Sequence, residues 1–141
     1  MGVAVYPVVE DCDEPWATTL FSKAIARNQD RFTKQLKKSK VETLDEFYGP
    51  DEDAIEEFGL EECGADWFEA SRGLVVVAEM LRIVNSTPES FELVDMLKED
   101  LEEFNSVLLR ANLEGRRWNL SCHWRSGRAL IQPRLRVLER S

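Results

Sequence analysis

Cys122 and His123 stand side by side, and His123 is the only histidine in the chain. A thiol beside an imidazole suggests a nucleophile and its base, which need hydrogen-bond reach. The surrounding run Trp118-Asn119-Leu120-Ser121-Cys122-His123-Trp124 alternates apolar and polar. A strand of that pattern sends neighbouring side chains to opposite faces. Cys122 then belongs with Trp118, Leu120 and Trp124, and His123 with Asn119 and Ser121, so no dyad is expected. Cys12, Cys63 and Cys122 are widely spaced and form no C-x-x-C pair. The expectation is free thiols, with no zinc ribbon, redox motif, cofactor or metal.

The second concentration of chemistry is Asp66-Trp67-Phe68-Glu69-Ala70-Ser71-Arg72. Asp66 and Glu69 could share acid–base work, and Glu69 could pair with Arg72 at helical spacing. A small-molecule or enzyme pocket built from Asp66, Trp67, Glu69, Arg72 and His123 is therefore one candidate. The competing expectation is that the aromatic residues lock a helix start into the core while the charges pair and cap. That expectation is preferred.

The third concentration is acidic. Residues 41–71 hold twelve acids and no base. A calcium loop beginning at Asp51 would need an oxygen ligand at Ile55 and glycine at Glu56, so the match fails. Asp51, Glu52, Asp53, Glu56, Glu57, Glu61 and Glu62 are instead candidates for meeting a basic partner.

These acids sit within a chain of blocks. The chain has 141 residues and a formal net charge of −9. Residues 23–40 carry seven bases against Asp30, and residues 116–141 carry seven arginines against Glu139. Arg116, Arg117, Arg125, Arg128, Arg134, Arg136 and Arg140 could contact phosphates while Trp118 or Trp124 stacks on bases. The acidic balance opposes a polyanion, so nucleic acid is not the expected partner. Docking of these arginines on the chain's own acids, or on another subunit of a homo-oligomer, accounts for the same residues. No G-x-G-x-x-G, Walker or G-x-S-x-G motif is present, which leaves nucleotide-binding and hydrolase readings of those kinds without support.

The elements that must position these residues follow from periodicity. Val3–Val9 is rich in β-branched residues and predicts a strand, held to a sheet edge by Pro7. Pro15 starts an amphipathic helix over 15–38, with Phe21, Ala24, Ile25, Asn28, Phe32 and Leu36 inward and Lys23, Arg27, Arg31, Lys34 and Lys38 outward. Thr43-Leu44-Asp45-Glu46 has the form of a capping box, with a stop at Gly49 and a further short helix from Asp51. A largely buried helix is expected over 68–85, with Gly73 allowing close packing. Another is expected over 88–113, capped at Thr87, and the short link makes the two antiparallel. Residues 117–124 form a half-buried strand. The tail 125–141 reads as an Arg-rich extension or an extra hairpin strand.

The expected fold is thus a single mostly helical α+β domain. Antiparallel helices pack on a small antiparallel sheet made by the N-terminal and C-terminal strands. No apolar run approaches the roughly 20 residues of a membrane span. The N-terminus lacks the basic start of a secretory leader, and position 6 is Tyr, unlike a myristoylation signal. The cytoplasm is the expected compartment.

Three stretches together carry a resemblance: Val5-Tyr6-Pro7-Val8-Val9-Glu10, Asp66-Trp67-Phe68-Glu69 followed by Gly73-Leu74, and Gly115-Arg116-Arg117-Trp118. In these the chain resembles an uncharacterised family of small acidic bacterial proteins, a domain of unknown function. The resemblance spans residues 3–124 and implies no activity, cofactor or site. The expected function is that of a non-enzymatic protein-binding or inhibitory protein of immunity or antitoxin type.

Overall fold

A computed structural model describes residues 3–49 and 67–124. Strand β1 covers Val3–Val9, followed by helix α1 (Pro15–Thr18) and helix α2 (Lys23–Lys38). A 3₁₀ turn covers Leu44–Phe47. After the acidic run come strand β2 (Phe68–Glu69), helix α3 (Ala70–Ser86), a 3₁₀ turn at Pro88–Ser90, helix α4 (Val94–Leu113) and strand β3 (Arg117–Trp124). The fold is mostly helical α+β, as the periodicities predict.

The sheet is antiparallel with order β1-β3-β2. The register sets Val9 opposite Trp118 and Val5 opposite Cys122. Pro7 fits β1 for a stereochemical reason. Val5 exchanges both backbone hydrogen bonds with Ser22 on the side away from β3. Pro7, two residues on, points its missing N–H the same way, so the ladder to β3 loses nothing.

Beneath the sheet lies one apolar core. Ile25, Phe32 and Leu36 from α2, Val76, Val77 and Met80 from α3, and Leu97, Leu101 and Phe104 from α4 are buried around Trp118 and Leu120. Gly73 is a point of close approach between α3 and its neighbours. A Cβ there would lie 2.6 Å from Trp118 Cζ2 and 2.8 Å from Leu108 Cδ1. Contact between the first turns of α3 and the last turns of α4 makes the two helices antiparallel.

Four sequence expectations are corrected. The helix expected over 15–38 is two helices, because Ser22 leaves the helical path to bridge Val5. Its hydroxyl then accepts from Ile25 N–H at 2.9 Å and starts α2 as an N-cap. The helix expected over 88–113 begins at Val94, after a left-handed Leu93 with φ of 51°. Thr87 does not cap it; its hydroxyl bonds back to the Ile83 carbonyl at 3.1 Å. Phe68 belongs to β2 rather than to α3, because it pairs with Trp118. Asn119, expected on a solvent face, is buried, with Gly49 packed so tightly that a Cβ would sit 2.5 Å from Asn119 Nδ2.

Candidate protein-binding site

The described residues on the two sides of the acidic run meet the same strand. Tyr48 bridges Leu120, and Gly49 N–H donates to the Leu120 carbonyl at 3.0 Å. On the return, Phe68 pairs with Trp118. Because β1 occupies the other edge of β3 along its length, both attachments lie on the same free edge. Leu120 and Trp118 are two residues apart, about 7 Å along a strand. The described chain on either side of residues 50–66 thus meets β3 at points about 7 Å apart.

This base of the acidic run is built from rings. Phe47 stacks on Trp118, with centroids 5.0 Å apart, and meets Phe68 edge-on at 5.2 Å. Phe104 contacts Trp118 edge-on at 5.6 Å. Offset and edge-on geometries suit the ring quadrupoles. The Arg72 guanidinium lies 5.2 Å from the Phe47 centroid and 5.4 Å from that of Phe68. From there it forks onto Glu42, with Nε donating to Oε1 at 3.1 Å and a second N–H donating to Oε2. A bidentate pair of this kind is directional as well as attractive. The Arg72 hydrogen bond holds the Glu42 carboxyl below its ordinary range, against the opposing effect of desolvation. One arginine therefore ties the chain before the run to the helix after it.

The acids nearest the base are engaged within the fold. Asp45 accepts from Gln29 Nε2 at 2.7 Å, and Glu46 accepts from the Thr43 N–H at 2.9 Å, the half of the capping box that the sequence pattern requires. The Tyr48 hydroxyl exchanges hydrogen bonds with the Gln29 amide, and burial pushes its phenol up.

The described arginines are committed elsewhere. Arg27 and Arg31 both reach Glu92, Arg82 reaches Glu79, and Arg110 and Arg116 reach Glu114. Arg116 also donates to the Asp11 carbonyl at 2.7 Å, and Arg117 forks onto Glu10 at 2.9 and 2.7 Å. None of these partners lies in residues 50–66.

The partner-binding candidates Asp51, Glu52, Asp53, Glu56, Glu57, Glu61 and Glu62 lie outside the described residues, as do Asp66, Cys63 and the tail 125–141. Of the pocket candidates, Trp67 is half-buried and Glu69 is exposed at the base. Glu69 stands opposite Arg117 in the sheet, and Arg72 binds Glu42 instead of Glu69. His123 stands opposite Ala4, six residues along β3 from Arg117. That spacing is about 20 Å, so the fold does not bring His123 to Glu69. Cys122 and His123 occupy successive register positions on β3, opposite Val5 and Ala4. Trp118, a candidate for stacking on bases, has no exposed surface.

Two structural polar residues were not assigned roles from sequence. Asn28 and Ser22 are fully buried, and each reaches across to the chain at α4. The available signal was a polar residue, Asn28, on the apolar stripe of α2. Among the described residues no cluster of His, Cys, Asp and Glu could hold a metal ion, and no helix is long and apolar enough to cross a membrane. In comparisons with known proteins the chain matches no family model, no curated protein and no solved structure.

Proposed function

We propose that this protein is non-enzymatic and works by binding another protein, basic at its contact surface, through the acids Asp51, Glu52, Asp53, Glu56, Glu57, Glu61 and Glu62. An inhibitor of immunity or antitoxin type is its concrete form. The observation that supports this reading is that Tyr48 and Phe68, the described residues flanking the acidic run, both meet the same edge of β3. Segments held at close ends by a rigid scaffold are frequent carriers of function. This one holds acids and no base, while every described arginine is committed to an acid outside it. A run of like charge raises the association rate with an opposite surface, and the effect falls off with salt.

The cytoplasm is the proposed compartment, with Cys12 and Cys122 outside any disulfide, as suits a reducing medium. The nucleic-acid reading is the weaker one, since Arg116 and Arg117 are held by Glu114 and Glu10 and Trp118 is inside the core. The test is capture on the immobilised chain at low salt, repeated with Asp51, Glu52, Asp53, Glu56 and Glu57 changed to lysine. Retention of basic proteins that is lost on reversal is expected. Capture that survives the reversal overturns the proposal.

A further inference from the structure

The outward face of α4 is divided. Asp95, Glu99, Glu102 and Glu103 are exposed along its first half, and none is in an ion pair among the described residues. Their spacing of three and four residues puts them on one side of the helix. The second half of the same side carries Leu109 and Leu113, which are 48% and 79% exposed. Arg110, the base between them, is drawn off this side: it lies 4.6 Å from the Trp16 ring centroid and bonds Glu114. Leu109 and Leu113, one turn apart, leave an apolar pair in water at the end of the acidic stripe, and a partner covering it would remove that area from water.

We propose that this face of α4 is a docking surface for a basic amphipathic helix of another protein. Its apolar pair seats on Leu109 and Leu113, and its cations lie along Asp95, Glu99, Glu102 and Glu103. Charge complementarity selects the occupant. Lys98 is the one cation among these four carboxylates, so a neutral apolar helix would leave a net negative stripe facing it, and a purely basic segment would leave the leucines uncovered. From Asp95 to Leu113 the helix rises about 27 Å, which a partner helix of about 18 residues spans. The inference rests on the reading that the protein binds a basic partner, and it adds a second surface, distinct from residues 51–62.

The test uses the full chain, isotope-labelled for NMR, and a synthetic lysine-rich peptide of about 18 residues carrying one i, i+4 leucine pair at its end. A control peptide of equal composition has the pair moved to its middle. Titration is expected to shift amides over 94–113, with the control binding more weakly. L109S/L113S is expected to weaken the first peptide about tenfold while leaving the unbound spectrum otherwise native. Equal binding of both peptides overturns the proposal. So do shifts confined to residues 51–62, which would leave the proposed function standing. Concentration-dependent shifts of α4 without peptide would assign the face to a second copy, and shifts of α4 on removing residues 125–141 would assign it to the chain's own tail. Either outcome also overturns it.

Discussion

Asn28 holds Glu92 by its backbone. The Asn28 Nδ2 donates to the Glu92 carbonyl at 2.9 Å, and its Oδ1 accepts the Glu92 N–H at 2.9 Å. A side-chain amide on α2 thus takes the part of a neighbouring strand for the residue that precedes α4. Arg27 and Arg31 add contacts to the Glu92 carboxylate at 3.3 and 3.1 Å. The clamp explains why the helix predicted from 88 starts only at 94: Glu92 cannot satisfy Asn28 and a helical ladder at once.

Asn28→Ala is therefore expected to be strongly destabilising. It leaves the Glu92 backbone groups without these partners and opens a void on a fully buried face. The two Glu92 groups are only partly buried, and a net hydrogen bond is worth about 0.5–1.5 kcal/mol, so a loss of about 1–3 kcal/mol in denaturant unfolding is expected. A change below about 0.5 kcal/mol, the scale of ordinary surface substitutions, would show that the clamp does not hold the link.

Leu93 is the converse case. It is left-handed at φ 51° with its side chain half in solvent. Leucine pays about 1–2 kcal/mol in that region, whereas asparagine tolerates it. Leu93→Asn is expected to raise stability by about 0.5–1 kcal/mol, after loss of part of the leucine contacts. A clear fall in the unfolding midpoint would refute this.

Gly73→Ala sets helix propensity against packing. Alanine favours a helix by about 1 kcal/mol over glycine. The new methyl would meet Trp118 and Leu108 well inside contact distance. Overpacking costs about 1–3 kcal/mol, so net destabilisation is expected, with altered near-ultraviolet dichroism from Trp118. The double variant with Trp118→Phe should lose less than the two single losses added together, because the smaller ring yields the space. Strict additivity would argue against the clash.

The Glu10–Arg117 fork predicts a pH dependence. Hydrogen bonding to Arg117 holds the Glu10 carboxyl below its ordinary 4.5, outweighing desolvation. The folded value is the lower one, so this contribution is fully present above 4.5 and is lost as pH falls through the folded value. Thermal unfolding of Glu10→Gln should therefore lie below wild type at pH 7 and approach it at pH 3. A gap that stays constant with pH would exclude the mechanism. The pair is largely exposed, so the gap should also shrink in high salt.

Much of the fold was legible because burial imposes a period. The buried residues Ala24, Ile25, Asn28, Phe32 and Leu36 of α2 are those the three–four spacing selects. Pro7 marked β1 as an edge strand, and Gly73 marked a close approach. The base of the acidic run was not legible. Phe47, Phe68 and Trp118 are far apart in sequence, and no local rule states that Tyr48 and Phe68 meet β3 two residues apart. The pairing of Arg72 was likewise misjudged, because the helical spacing to Glu69 is a local cue and Glu42 is not local.

The sequence by itself determined where apolar faces lie, which segments are helical or extended, and that charge is sorted into blocks. Each follows from propensity and periodicity within a few turns of chain. Only the tertiary structure decided where helices break, since Ser22 and Glu92 gave up helical bonds for partners on other elements. It also decided which cations meet which anions. Arginine side chains choose among all carboxylates that folding brings within reach, and that choice left the described arginines on Glu10, Glu42, Glu79, Glu92 and Glu114.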